Sequence, residues 1–243
     1  MLELKNISFS VTEEGHKKEI LRDISFTVED QNFVVITGPN GGGKSTIAKI
    51  IAGIETPDSG QILLDGVDIT GLSITERAKR GIGFAFQQPV RFKGLTVRDL
   101  VTLAAGKPLS LEDACGYLSE VGLCALDYID REANASLSGG ELKRIEIAMA
   151  MAKESKFVVF DEPEAGIDLW SFHNLIRVFE HLRDSREMSI GIISHQERIL
   201  EIADKVIVIA DGRISEMGTR EEILPHLMLD IDTCQYYREE AMA

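Results

Sequence analysis

One eight-residue stretch constrains this chain more than any other: Gly38-Pro39-Asn40-Gly41-Gly42-Gly43-Lys44-Ser45, with Thr46 directly after it. It fits the pattern G-x-x-x-x-G-K-[S/T], and its surroundings fit as well. The preceding run, Phe33-Val34-Val35-Ile36, is continuously apolar, as suits a strand buried on both faces of a mostly parallel sheet. Residues 45–53 read as a helix that Gly53 ends. A strand, a glycine-rich loop and a helix start, in that order, make a phosphate cradle. The glycines let the backbone wrap closely and aim N–H groups inward, and the helix start adds a positive pole. In such a cradle Lys44 reaches the β- and γ-phosphates and the Ser45 hydroxyl ligates Mg²⁺. A turn of the same composition that binds nothing would not need this context.

A second apolar run, 157–160, ends in Asp161 and then Glu162. A carboxylate at the end of a parallel strand lies at the crevice where open α/β sheets bind ligands. Asp161 is therefore expected to hold the Mg²⁺ shell, and Glu162 to orient or deprotonate the attacking water. His195 follows a third such run, 190–194, and alone among the five histidines ends a core strand, so it is expected at the γ-phosphate and the water.

Around these points the periodicity divides the chain. Strands are expected at 2–11 and 20–28, joined by a polar turn near Glu13-Glu14-Gly15-His16, and at 60–65. From Thr96 to about Lys153 strand signals vanish and the pattern becomes helical, as in an inserted subdomain. Strand and helix then alternate: helix 169–183, strand 189–194, helix 197–203, and a hairpin 206–210/213–216 over Asp211-Gly212. The expectation is one α/β domain over 1–243, with a nucleotide-binding core at 1–95 and 154–225. Within it lie a helical subdomain at 96–153 and a tail at 226–243 with few fold signals.

Charge narrows the partners. Against 26 Lys and Arg stand 40 Asp and Glu, a net −14, so a nucleic-acid ligand and an anionic lipid surface are both disfavoured. No apolar run nears the ~20 residues needed to span a bilayer. The opening MLELKNISFS alternates like a strand and does not read as a leader. Cys115, Cys124 and Cys234 form no metal-ligand or disulfide pattern, which fits a reducing, cytoplasmic setting; Cys115 and Cys124 are expected to be core thiols, not cluster ligands.

Further motifs point to a family. Leu137-Ser138-Gly139-Gly140-Glu141 resembles the LSGGQ-like signature of ATP-binding-cassette ATPases, Gln87 in Phe86-Gln87-Gln88-Pro89 resembles their Q-loop glutamine, and Asp168 their D-loop aspartate. With residues 38–46, Asp161-Glu162 and His195, the likeness covers the chain to about residue 225. It implies a P-loop ATPase with a mostly parallel core sheet, an antiparallel N-terminal part and the inserted helical subdomain. It also implies ATP and Mg²⁺ as ligands, with Gln87 serving both catalysis and the metal. Two copies would then close head to tail, ATP on one phosphate loop being capped by Ser138, Gly139 and Gly140 of the other. A serine and two glycines at a helix start suit an anion, whereas a plain N-cap accounts for Ser138 alone. Val11 stands where the family usually stacks an aromatic residue on adenine.

Most of this family powers membrane transporters, but four details resemble the ATPase subunit of the Suf iron–sulphur cluster assembly machinery instead. They are Glu146 in the signature helix, Glu164 followed by Gly166 before Asp168, the Ala85-Phe86-Gln87 core, and Val11. Leu142 and Ile145 depart from that subfamily. The resemblance implies a soluble ATPase that docks on SufB/SufD-like scaffold subunits through residues 87–94 and the helical block, with the membrane-transporter motor as the alternative. The bland readings are a solvated helix position for Glu146 and a neutral turn variant for Gly166.

Overall fold

The strands buried on both faces all lie in one sheet here. A computed structural model of the chain describes residues 1–13, 16–134 and 136–232. The chain runs β1 (Leu2–Glu13), β2 (His16–Val28), β3 (Phe33–Thr37), α1 (Lys44–Ala52), β4 (Ser59–Leu64), β5 (Val67–Asp68), α2 (Ile74–Lys79) and β6 (Ile82–Ala85). Helices α3 (Val97–Ala105), α4 (Leu111–Glu120), α5 (Ala125–Tyr128) and α6 (Gly139–Ala152) follow, without a strand among the described residues between them. Then come β7 (Phe157–Asp161), α7 (Leu169–Ser185), β8 (Ser189–Ile193), α8 (Glu197–Leu200), β9 (Lys205–Ala210), β10 (Arg213–Thr219) and α9 (Arg220–Asp232).

The alternating N-terminal strands build an antiparallel sheet in the order β2-β1-β4-β5. The continuously apolar runs form the centre of the second sheet, ordered β10-β9-β3-β8-β7-β6 and parallel except for the alternating edge strand β10. Each residue of β3, β7 and β8 is buried, and side chains alternate between two cores. Phe33 and Val35 face the helical block and α7, while Val34 and Ile36 face α1 and the antiparallel sheet. That two-sided burial is why these strands read as unbroken apolar runs.

Register then decides where the loops emerge. Ile36 lies level with Ile193, Ile193 with Asp161, and Phe160 with Ala85. The carboxyl ends of four parallel strands therefore stop on one line, and their next residues line one crevice.

Several elements differ from the sequence expectation. The first two strands are longer, α8 is shorter, and α2, β6 and α9 were not foreseen. The expected turn at residues 13–16 falls partly outside the described residues, as does Cys234. Helix α9 runs into the expected tail to Asp232, with Pro225 inside it. Cys115 is half-buried against the core, but Cys124 is exposed at the start of α5, so the expectation of two core thiols fails for Cys124.

One buried charge organises the unforeseen α2. Arg77 is 1 % exposed, and its guanidinium donates to the carbonyls of Ile50 (2.6 Å), Ile51 (3.0 Å), Thr70 (2.6 Å) and Leu72 (3.0 Å). Ile50 and Ile51 lie in the last turn of α1, whose carbonyls lack helical partners and carry the negative pole. Arg77→Ala should therefore lower the unfolding free energy in urea by about 3 kcal/mol, and Arg77→Lys, with a narrower donor set, by about 2 kcal/mol.

Candidate functional site

The glycine-rich loop leaves β3 and is pressed against β9. Gly38 has φ +130°, and a Cβ there would stand 2.1 Å from the Ile209 carbonyl oxygen, so only glycine fits. Packing inside the chain thus fixes this glycine before any ligand does. The turn between β9 and β10 clasps the loop further: Gly212 N–H donates to Gly42 O at 3.2 Å. Helix α1 starts after Gly43 with no side-chain cap on its first N–H groups, which is the arrangement that receives an anion. Lys44 is 5 % exposed, and its ammonium donates to the carbonyls of Gly38 (2.8 Å) and Pro39 (2.9 Å). Burial pulls that ammonium down from the usual lysine range, against the raising pull of Glu162 and Asp161. Asn40 and Gly41 are exposed at the loop tip, and Thr46 is half-buried in α1.

Beside the loop, Ser45 Oγ donates to Asp161 Oδ1 at 2.9 Å. Burial pushes the Asp161 carboxyl up; the Ser45 bond opposes this and the neighbouring Glu162 charge adds to it. These are two hard oxygen donors at the mouth of a phosphate cradle, and they fit Mg²⁺. Glu162 leaves β7 with φ +44°, its N–H held by Ile193 O at 2.9 Å. Its Oε2 accepts from Gln87 Nε2 at 2.6 Å, so β6 and β7 deliver their terminal polar side chains to each other. His195 is exposed at the end of β8. The structure thus brings residues 38–46, Gln87, Asp161, Glu162 and His195 to one crevice.

The serine–glycine motif lies on a different element and has different neighbours. Ser138 caps α6: its Oγ accepts from Glu141 N–H at 3.3 Å, and its own N–H donates to Glu141 at 2.6 Å. Asp168 caps α7 by accepting from Trp170 N–H (2.9 Å) and Ser171 N–H (3.0 Å). The two helix starts touch. A Cβ on Gly140 would stand 2.5 Å from Ser171 Cβ, and one on Gly139 would stand 3.4 Å from Gly166 O. The second glycine therefore has a packing reason within the chain, which corrects the argument that only an anion explains it. Next to this contact, Leu169 and Trp170 are exposed, Trp170 by 81 %.

Sequence reasoning missed three polar links. Lys143 on α6, 2 % exposed, donates to the carbonyl of Phe86 beside Gln87, and its ammonium lies 3.2 Å from Glu146 Oε2. Glu146 is largely buried, and burial pushes its carboxyl up, so the solvated-position reading of it fails. Ser194 Oγ donates to Glu164 Oε1 at 2.5 Å. The Lys143–Glu146 spacing of three residues on one helix was the only sequence signal for any of these. Beside Lys143, a groove of about 320 Å³ opens between β6 and helices α3 and α6, lined mainly by Phe84, Phe86, Val90, Leu142, Ile145 and Met149. Val11 is half-buried against the core of the antiparallel sheet. Among the described residues, no helix is long and apolar enough to cross a membrane.

The chain is similar to known proteins in sequence and in fold. The family model described as ABC transporter matches residues 21–165. The chain is 39% identical over 214 residues to the uncharacterized ABC transporter ATP-binding protein MJ0035 of Methanocaldococcus jannaschii, a match over 85% of each chain. It is 36% identical over 213 residues to the lipopolysaccharide export system ATP-binding protein LptB of Escherichia coli, covering 85% of this chain and 87% of that one. The dimeric post-hydrolysis structure of the ATP-binding cassette MJ0796, bound to ADP and Pi, shares the fold. Its TM-score is 0.80 at 23% identity, covering 90% of this chain and 99% of that one.

The Gly140 contact is testable without ligand. Gly140→Ala should cost about 2 kcal/mol of unfolding free energy in urea, because the new methyl meets Ser171 on a neighbouring helix start. Adding Ser171→Gly should recover part of that loss, and the recovery measures the coupling directly.

Proposed function

Because this chain belongs to the ABC transporter family and is an ATP-binding ATPase, we propose that it is the nucleotide-binding motor subunit of a membrane transporter. The observation that carries the chemistry is the joint placement of buried Lys44, the Ser45–Asp161 pair and the Gln87–Glu162 pair in one crevice. In this reading residues 38–46 hold the triphosphate, with Lys44 on the β- and γ-phosphates. Ser45 and Asp161, with Gln87, would hold Mg²⁺, which when bound would neutralise charge on the phosphate oxygens. Glu162 takes a proton from water as the water oxygen bonds to the γ-phosphorus and the bond to the ADP oxygen breaks. His195 orients that water and the γ-phosphate.

A second copy completes the site. Ser138, Gly139 and Gly140 of one subunit cap the ATP held by the other, with Asp168 at the same junction. ATP then favours the closed pair because it touches both subunits only there. The apolar groove beside Gln87 is where the transporter's membrane partner would dock, and Lys143, bonded to Phe86 O, links that groove to the signature helix.

A second reading is the ATPase of a soluble Suf-type assembly complex with SufB/SufD-like partners. It draws on Glu146, Glu164, Gly166 and Val11, and the burial of Glu146 against Lys143 gives the first of these a structural role. The transporter reading is preferred because the relatives named above are ATP-binding proteins of transporters. Affinity purification from membrane and soluble fractions separates the two. An integral membrane protein bound in stoichiometric amount supports the transporter motor, and a soluble scaffold carrying cluster-ligand cysteines replaces it with the assembly reading.

For the chemistry itself, Lys44→Ala should abolish nucleotide binding or turnover. Glu162→Gln should retain MgATP, lower turnover by about a thousandfold or more, and elute as an ATP-dependent dimer in size-exclusion chromatography. Turnover by Glu162→Gln at the parental rate would remove Glu162 from the mechanism.

A further inference from the structure

One acidic group in the crevice is left without a task by the roles above. Glu164 is half-buried two residues beyond Glu162, and its Oε1 accepts from the hydroxyl of the fully buried Ser194 at 2.5 Å. Ser194 Oγ in turn accepts from Gln196 N–H at 3.0 Å. The serine and the glutamine flank His195, so this two-bond chain grips the loop on both sides of the histidine. The backbone ties the two loops as well, through Glu162 N–H to Ile193 O at 2.9 Å, while Ala165 N–H closes the Glu162 turn on itself at Glu162 O, 3.0 Å away. Glu164 is therefore the side-chain clamp between the loop that carries Glu162 and the loop that carries His195.

Its other oxygen argues against a role in stability alone. Glu164 Oε2 is shielded from solvent and has no hydrogen-bond partner among the described residues. A buried carboxylate oxygen without a donor is costly, and burial duly pushes this carboxyl up, with the Ser194 bond and His195 opposing and Glu162 adding. A shorter hydroxyl or an apolar side chain would relieve that cost. Groups held against local stability concentrate where chemistry needs them.

We propose that Glu164 is a positioning residue for ATP hydrolysis: through Ser194 it fixes His195 relative to Glu162. The inference rests on the reading of Glu162 and His195 as hydrolytic groups. It places nothing on ATP binding itself, which residues 38–46 provide. Misplacing a hydrolytic group by a fraction of its reach slows turnover without loosening substrate.

Steady-state hydrolysis of MgATP by the full chain tests it, with thermal melting of each variant alongside. Glu164→Ala should lower kcat by about tenfold to a hundredfold. KM for ATP should stay within about twofold, and the melting temperature should hold or rise. Glu164→Gln keeps a carbonyl oxygen for Ser194 and should recover most of kcat. Ser194→Ala should slow turnover like Glu164→Ala, and the double variant should be no slower than the slower single one, as for two members of one clamp. A Glu164→Ala enzyme with parental kcat overturns the proposal, as does a fall in kcat that tracks a lower melting temperature. A Ser194→Ala enzyme at full speed overturns the route through Ser194. His195→Ala supplies the separate arm. If it turns over normally while Glu162→Gln is inactive, the hydrolytic reading of His195 fails and the clamp has nothing to position. If it is slow while Glu164→Ala is not, only the clamp fails.

Discussion

Everything at the crevice depends on parallel register. Because Ile36, Ile193, Asp161 and Ala85 lie at the same end of neighbouring strands, the phosphate loop, Ser194, Glu162 and Phe86 emerge side by side. A slip of one residue in β7 would turn Asp161 to the opposite face of the sheet and break its 2.9 Å bond from Ser45. Burial on both faces is what forbids such a slip, since each strand feeds alternate side chains to two separate cores. The hydrophobic effect sets the register, and the register sets the electrostatics.

The motif glycines illustrate how packing and ligand chemistry converge on the same residues. Gly38 is fixed by Ile209 and Gly140 by Ser171, both within one chain. A phosphate cradle needs the backbone of the first to pass close to a neighbour, and a helix start pressed against another helix start needs the second. The glycine at 140 thereby joins the start of α6 to the segment around Asp168. Lys143 joins the same helix to the segment around Gln87. Two bonds of different kinds tie α6 to the rim of the crevice, one steric and one charge-assisted.

Legibility in the sequence followed from how local each signal was. Strands β3, β7 and β8 were plain because two-sided burial leaves an unbroken apolar run. Strand β6 was not, because Gly81 precedes it and Gly83, close against Val158, interrupts its four residues. Helix α2 has six residues, yet Ser73 and Glu76 form a full capping box that could have announced it. Helix α9 was hidden by Pro225. At the site, Lys44, Ser45, Asp161, Glu162 and Gln87 each belong to a short pattern that a window along the chain contains. Links such as Ser194 to Glu164 or Lys143 to Phe86 join residues far apart in sequence, and no window along the chain contains them. Cys124 was misplaced because composition alone cannot say that a residue stands at the exposed start of a short helix.

The exposed indole beside the α6–α7 contact has an optical consequence. Trp170 is the sole tryptophan of the chain. Its intrinsic fluorescence is therefore that of one chromophore in water, two residues from Asp168 and next to Ser171, free of background from any buried indole. The protein carries a single-site spectroscopic gauge at the junction of the α6 and α7 helix starts, whose emission maximum reads how wet that junction is.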